Sequence, residues 1–279
     1  MNMAFNVFKN RELLFKRLNV DGSPLTNPTA DDVYLLDYPQ SLRFARVFED
    51  AVVTKNEGPE GTICQVTRSA KLVGATAGIQ LAKLPAKLAY FFEGGTYDDA
   101  TDTHTPPMYA DAAPNPFSVE AFIPHYTDGK HDVADISGYI KLRLPKCTGT
   151  FEELTVDNAN FGNPNVTITS EEYVDGAVPA NSEPCYAFSK ETVLPSDDDY
   201  AVTFAITDSV GDVEGAVVSV TVAGTPVTDT TDADGAAELQ LPIGTHTYTI
   251  TKDTYTEKTG EVTVTLLGGT VAAVIVLAG

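Results

Sequence analysis

His125, Asp128, His131, Asp132 and Asp135 crowd one short polar segment, and imidazoles beside carboxylates are a donor set that suits a divalent metal. Their spacing follows neither a metal-binding helix nor a metal knuckle, so a solvated loop is the expectation. Asp197-Asp198-Asp199 and Asp232-Ala-Asp234-Gly235 are clusters of hard oxygens such as calcium takes. Neither supplies the later Glu of an EF-hand loop, which leaves a linker and a turn. Gly94-Gly95 and Gly268-Gly269 are followed by no Gly-Lys-Ser or Gly-Lys-Thr element and so make no phosphate cradle. No Gly-x-Ser-x-Gly occurs, and Cys64, Cys147 and Cys185 are odd in number, far apart and without a nearby His partner. They read as reduced core residues. The expectation is a chain with no catalytic site, no cofactor and no metal, and not an enzyme.

The elements behind these residues are clearest in the last eighty. Val218, Val220 and Val222 alternate with Ser219 and Thr221, and Tyr248 and Ile250 alternate with Thr247, Thr249 and Thr251. That period of two is the mark of half-buried strands, which need a second apolar layer. Between them, Asp232 and Asp234 can accept backbone N–H bonds while Gly235 takes a positive φ, and Pro242 with Gly244 makes a second tight connection. The final Val271–Ala278 run reads as a buried strand. In order, Val213-Glu-Gly-Ala-Val-Val-Ser-Val-Thr-Val222, Thr231-Asp-Ala-Asp-Gly235, Leu241-Pro-Ile-Gly-Thr-His-Thr-Tyr-Thr-Ile250 and Val271-Ala-Ala-Val-Ile-Val-Leu277 resemble the motifs of carboxypeptidase-regulatory-like domains. The resemblance covers about Tyr200 to Gly279 and departs at Lys252-Asp-Thr-Tyr255, where that family usually has Gly before Tyr. It implies a transthyretin-like (Ig-like) β-sandwich over residues 201–279, used for accessory, display or adhesion purposes, without peptidase activity.

Residues 1–195 also read as mainly β. Strands are expected at 32–37, 42–48, 63–67, 117–123, 138–144 and 165–170. One short helix is expected in Lys83–Gly94, where Leu84, Leu88 and Phe91 fall at helical spacing, Pro85 suits the first turn and Gly94-Gly95 can end it. Residues 96–116 follow with little pattern, a connection long enough to be either mobile or ordered by a partner. At the other end Phe5, Phe8, Leu13, Leu14 and Phe15 make an apolar arm, which docks either on its own domain or on a neighbouring copy. Pro195-Ser-Asp-Asp-Asp-Tyr200 separates the two parts, with residues 196–200 as an acidic linker that like charges extend.

The chain has 279 residues, 43% hydrophobic and 9% aromatic, which suffices for two cored domains. Its 39 acidic residues against 18 basic give a net charge of −21. Residues 200–279 contribute ten acids and two bases, so the excess is spread over both parts. Such a field repels nucleic acid and argues against conventional DNA or RNA binding. The first residues show no signal-peptide pattern, and no run reaches the length of a membrane span. The expectation is therefore assembly in the cytoplasm without membrane insertion.

Ile63-Cys-Gln-Val-Thr-Arg-Ser-Ala-Lys-Leu-Val-Gly74, the short helix after it, Phe122-Ile-Pro-His-Tyr126, Asp135-Ile-Ser-Gly-Tyr-Ile-Lys-Leu-Arg-Leu-Pro-Lys-Cys-Thr-Gly-Thr150 and Val156-Asp-Asn-Ala-Asn-Phe-Gly162 resemble, in order, pieces of phage tail tube (major tail) proteins. That resemblance, over roughly residues 1–195, implies a tail-tube-like β-barrel or sandwich that self-assembles into stacked, hexameric rings. Its partners would be copies of itself, other tail proteins, and double-stranded DNA that passes without specific binding; its place would be the virion tail. An acidic wall lets DNA slide where a basic one would stall it. Asp31, Asp32, Asp37, Glu49, Asp50, Glu57 and Glu60, on or beside early strands, are the candidates to line the lumen. The C-terminal sandwich would be displayed outside, with host-surface contact through residues 201–279. The alternatives are an extracellular or cell-surface β-sandwich binding protein, and another virion component such as a head decoration or neck protein.

Overall fold

In the computed structural model the chain forms two compact units, Met1–Thr192 and Val193–Gly279. The structure describes residues 5–7, 12–37, 39, 41–49, 52–58, 61–68, 70–81, 85–108, 116–126, 136–151, 164–176 and 178–278, with the backbone alone at 5–7, 52–58, 61–68 and 179. The protein is mainly β, with one α-helix among these residues.

The first unit runs β1 (Phe5–Val7), β2 (Glu12–Arg17), β3 (Val33–Asp37), β4 (Ser41–Glu49), β5 (Val52–Gly58), β6 (Gly61–Arg68), β7 (Lys71–Gln80), α1 (Ala86–Glu93), β8 (Thr96–Asp98), β9 (Thr103–Thr105), β10 (Phe117–Tyr126), β11 (Ile136–Phe151), β12 (Asn165–Glu171) and β13 (Ala187–Glu191). Its main sheet follows the order β1-β4-β7-β12-β11-β10-β2-β3, with β13 joining β11. The two ends do not pair, so among the described residues the sheet stays open rather than closing into a barrel. Leu13, Phe15, Leu42, Phe44, Ile79, Phe117, Val119, Leu142, Leu144 and Ile168 contribute to one core, over which α1 lays Leu88, Phe91 and Phe92. Pro85 caps the start of α1 and Gly94, at φ 76°, ends it by donating its N–H to Tyr90 O. Gly149 is a close-approach position, where a Cβ would lie 2.3 Å from the Phe92 ring.

The apolar arm is in part a core strand. Leu13 and Phe15 are fully buried, and Phe15 sits among the rings of Tyr34, Phe91, Phe92 and Phe117. β2 is paired on both sides, to β10 and β3, and Leu14 on its other face is 5% exposed. A strand covered on both faces reads as an unbroken apolar run rather than an alternation. Residues 12–17 therefore dock on their own domain. Residues 96–105 differ from expectation as well, forming a small hairpin in which β8 pairs with β9 and Tyr97 stacks on Tyr90 of α1.

The second unit contains β14 (Asp199–Thr207), β15 (Val217–Val222), β16 (Thr225–Thr230), β17 (Ala236–Pro242), β18 (Gly244–Thr251), β19 (Lys258–Val264) and β20 (Gly269–Val274). Sheets β17-β14-β20 and β16-β15-β18-β19 make the sandwich, and β20 runs parallel to β14. Val202, Phe204 and Ile206 share its core with Val218, Val220, Leu239, Leu241, Tyr248, Ile250, Val262 and Val264. At roughly 25 cal/mol per Å² of apolar surface, each such side chain contributes on the order of 2 kcal/mol. Buried Thr231 is satisfied on both counts: its hydroxyl accepts from Ala216 N–H at 2.9 Å and donates to Val213 O at 2.6 Å. The expected acidic linker is not an extended spacer. Leu194 and Pro195 are buried, Asp197 N–H closes a turn on Leu194 O, and Asp199 already begins β14.

Candidate functional site

The most distinctive construction of the first unit is a ribbon of two nested antiparallel ladders built from four strands. β4 pairs with β7 from Ser41↔Gln80 to Glu49↔Lys71, and β5 pairs with β6 from Val52↔Arg68 to Gly58↔Gly61. The two ladders are nested along the chain, β5 and β6 falling between β4 and β7, and form separate sheets among the described residues. Only the base of the ribbon is flanked on both sides, because β1 covers β4 at residues 42–44 and β12 covers β7 at residues 75–80. The β5–β6 hairpin, seven residues on its first strand, is on the order of 20 Å long at ~3.3 Å per residue. Among the described residues both outer edges of the ribbon beyond its base lack a further strand. Val47 pairs with Gly74 and Phe48 with Leu72, leaving Val73 as the extra residue of a bulge. A bulge of this kind bends a ribbon and raises its twist. Val47, Phe48 and Val73 are exposed at 38%, 42% and 46%, so apolar surface and unpaired backbone coincide at the root of the projection.

The acidic candidates divide. Asp32 lies in a single 3₁₀ turn with Asp31; its carboxylate accepts bonds from the Thr29 N–H and hydroxyl and stands 3.5 Å from Arg17. Asp31 stands 3.7 Å from Lys87. Each of these two stands beside a cation of its own domain, Asp31 with its side chain about half exposed. Asp37 ends β3 and Glu49 ends β4, both exposed, with Glu49 across from Lys71. Glu57 lies on β5, described by its backbone; Asp50 and Glu60 lie outside the described residues. Phe5 pairs across from Phe44 in β1, and Phe8 lies outside the described residues.

A charged network escaped the sequence reading. Glu120, 8% exposed, stands between Lys16 at 3.6 Å and Arg143 at 3.5 Å, and Arg143 reaches Glu183 at 2.7 Å. Lys141 bonds Glu191 at 2.5 Å, which together with a Ser189 bond holds the Glu191 carboxyl below its ordinary range. The available signal was Glu120 itself, a charge inside the apolar run Phe117–Ile123. The network ties β2, β10, β11 and β13 together, with each carboxylate beside a cation.

Of the metal-like clusters, the described residues make local bonds. His125 Nδ1 bonds the Ser137 hydroxyl at 2.9 Å, while Asp128, His131, Asp132 and Asp135 lie outside the described residues. Asp232 Oδ1 accepts from Asp234 N–H at 3.0 Å and Ala236 N–H at 2.9 Å, with Gly235 at φ 69°, which makes a turn. No group of three or more metal-ligating side chains occurs among the described residues. Cys147 and Cys185 are buried free thiols; burial pushes Cys147 up to about 12 and raises Cys185. The side chain of Cys64 is outside the described residues. Among the described residues no helix is long and apolar enough to cross a membrane.

No protein-family model matches the chain, and no curated protein matches it. Among solved structures it is similar to the TIE protein of Bacillus anthracis, at 13% identity and a TM-score of 0.22 over 87% of this chain and 35% of that one. The chain thus spans about a third of that protein's length. It is also similar to a variant of BcpA, the major pilin subunit of Bacillus cereus, at 11% identity and a TM-score of 0.23 over 100% of both chains. At such TM-scores neither likeness bears on what this chain does.

Proposed function

We propose that the chain is a self-assembling structural subunit of a phage tail tube, with its second unit displayed on the outside of the tube. The observation that carries this reading is the 41–80 ribbon. Unpaired N–H and C=O groups along a projecting hairpin are a template for a strand of another copy, and in a closed ring the same two surfaces meet at every interface. Exposed Val47, Phe48 and Val73 give that contact an apolar component. The net charge of −21 agrees with a conduit from which DNA phosphates are repelled. Asp31, Asp37 and Glu49 are the described acidic candidates with exposed side chains for such a wall.

Negative-stain electron microscopy of the concentrated full chain, beside a chain ending at Thr192, tests the reading. Rings or hollow tubes are expected from both. Dispersed monomers from the full chain at every concentration would count against a tube subunit.

A further inference from the structure

Among the described non-glycine residues only Asp102, Ala223 and Thr254 have a positive φ, and Thr254 alone is β-branched. Such a conformation persists only where the surroundings impose it, and it gathers at functional sites. Here the surroundings are specific. Tyr255 N–H closes a turn on Lys252 O, Ala278 N–H donates to Thr254 O, and Thr256 N–H donates to Val276 O. The Tyr255 hydroxyl donates to Asp208 Oδ2 at 2.7 Å, and Lys252 Nζ donates to Glu214 O. Residues 252–256 are thus held by the 208–214 loop on one side and by the last residues of the chain on another.

The strained turn forms one wall of an open groove of about 420 Å³, in which Lys252, Asp253, Tyr255 and Glu257 stand across from Gly215 and Val217. Gly215, at φ 74°, keeps the floor clear, and a Cβ there would meet the Lys252 ammonium at 3.5 Å. Half-buried Tyr255 and Val217, 39% exposed, give the groove an apolar patch. Asp253 and Glu257 are exposed, and among the described residues their carboxylates make no ion pair. Lys252 is one of two bases in residues 200–279, and its ammonium keeps two N–H donors beyond the one given to Glu214. An anion in this groove would face two carboxylates, and a cation would face an ammonium. A neutral molecule rich in hydroxyls uses both, because each hydroxyl donates and accepts, while its C–H face covers the ring and the valine. We propose that this groove binds neutral saccharide units: Asp253 and Glu257 accept from sugar hydroxyls, Lys252 donates to one, and Tyr255 with Val217 carries the apolar face of the sugar. The inference rests on the reading of the second unit as displayed outside a tube, where a surface saccharide meets it. An open groove holds each sugar weakly, and many copies along one tube raise the overall affinity.

Saturation-transfer nuclear magnetic resonance of the full chain tests this, with neutral oligomers of glucose, galactose and N-acetylglucosamine as probes. At least one probe should receive saturation from the protein. Asp253→Ala with Glu257→Ala should weaken its binding about tenfold, the loss expected when hydrogen bonds to charged acceptors are removed. Both side chains are exposed, so the urea midpoint should stay that of the parent. Thr254→Gly should also weaken binding, by relaxing the wall of the groove, without lowering the midpoint. Glu261→Ala, an exposed acid of β19 outside the groove, should bind as the parent does. No saturation of any of the three probes, or affinity unchanged in the double variant, would each overturn the proposal. Tube formation is scored separately by microscopy, and the chain ending at Thr192 should form tubes without binding sugar, so the two ideas fail independently.

Discussion

Thr254 sits at φ 72°, a left-handed conformation that costs a β-branched residue about 1–2 kcal/mol. It stands directly before Tyr255, where the resembling family has Gly. Replacing it with Gly removes the strain and adds some unfolded-state entropy, so Thr254→Gly should stabilise the second unit by about 1 kcal/mol. The urea midpoint of the full chain, followed by a probe in β14–β20, measures it; a fall in the midpoint would show that the turn needs its threonine. Tyr255 also donates its hydroxyl to Asp208 Oδ2 at 2.7 Å. That bond is the first cause of both shifts: the Asp208 carboxyl is lowered, helped by Val210 and Gly211 N–H, and the Tyr255 phenol is raised. The two shifts give opposite arms. Asp208, depressed in the folded state, contributes stability above the unfolded carboxylate value and loses it as pH falls through the folded one. Tyr255, raised, contributes below its unfolded value near 10 and loses it as pH climbs through the folded one. Tyr255→Phe should flatten the alkaline arm and only shrink the acid arm, because Asp208 keeps its two backbone donors. Parallel pH profiles for the two proteins would refute the assignment.

At the scale of elements, the strands legible in the sequence are those whose two faces meet different surroundings. Val218 and Val220 against Ser219, and Tyr248 against Thr247 and Thr249, reveal their period directly, and the observed strands follow it. The six strands expected in the first unit are all present, most of them longer than expected. β2 was hidden by burial of both faces, and β7 by Gly74, Ala75, Ala77 and Gly78, small residues that carry little hydrophobic signal. The ribbon was hidden for a further reason. Its pairing is set by register, which no single segment displays. Its role can be tested by replacing residues 52–68 with a short Gly-rich turn at the end of β4 and β7. Among the described residues these strands pair only with each other, so the main sheet and its core should survive, with far-ultraviolet circular dichroism close to that of the parent. Rings and tubes should be lost. Retention of tubes would place the assembly contact elsewhere and remove the ribbon as the basis of the functional reading.

At the scale of the whole molecule, the charge sets conditions that any self-association must meet. Copies bearing −21 repel one another, and screening decides over what distance. The Debye length is about 30 Å at 0.01 M ionic strength and about 3 Å at 1 M, so added salt weakens repulsion between copies much more than it weakens backbone pairing or apolar contact. Interfaces built from strand edges and residues such as Val47, Phe48 and Val73 should therefore strengthen with salt, and the fraction of protein in rings or tubes should rise between those two limits. Interfaces held by ion pairs between subunits would weaken instead. Sedimentation across a salt series separates the two, and a fall in assembled fraction would argue that the few exposed lysines and arginines, rather than the ribbon edges, join the copies. The same charge explains why function was harder to read than fold. A strand announces itself through the alternation of its own residues, whereas an assembly surface is a relation between two copies, and in one sequence it leaves only what it must avoid: charge at the contact and a protected edge.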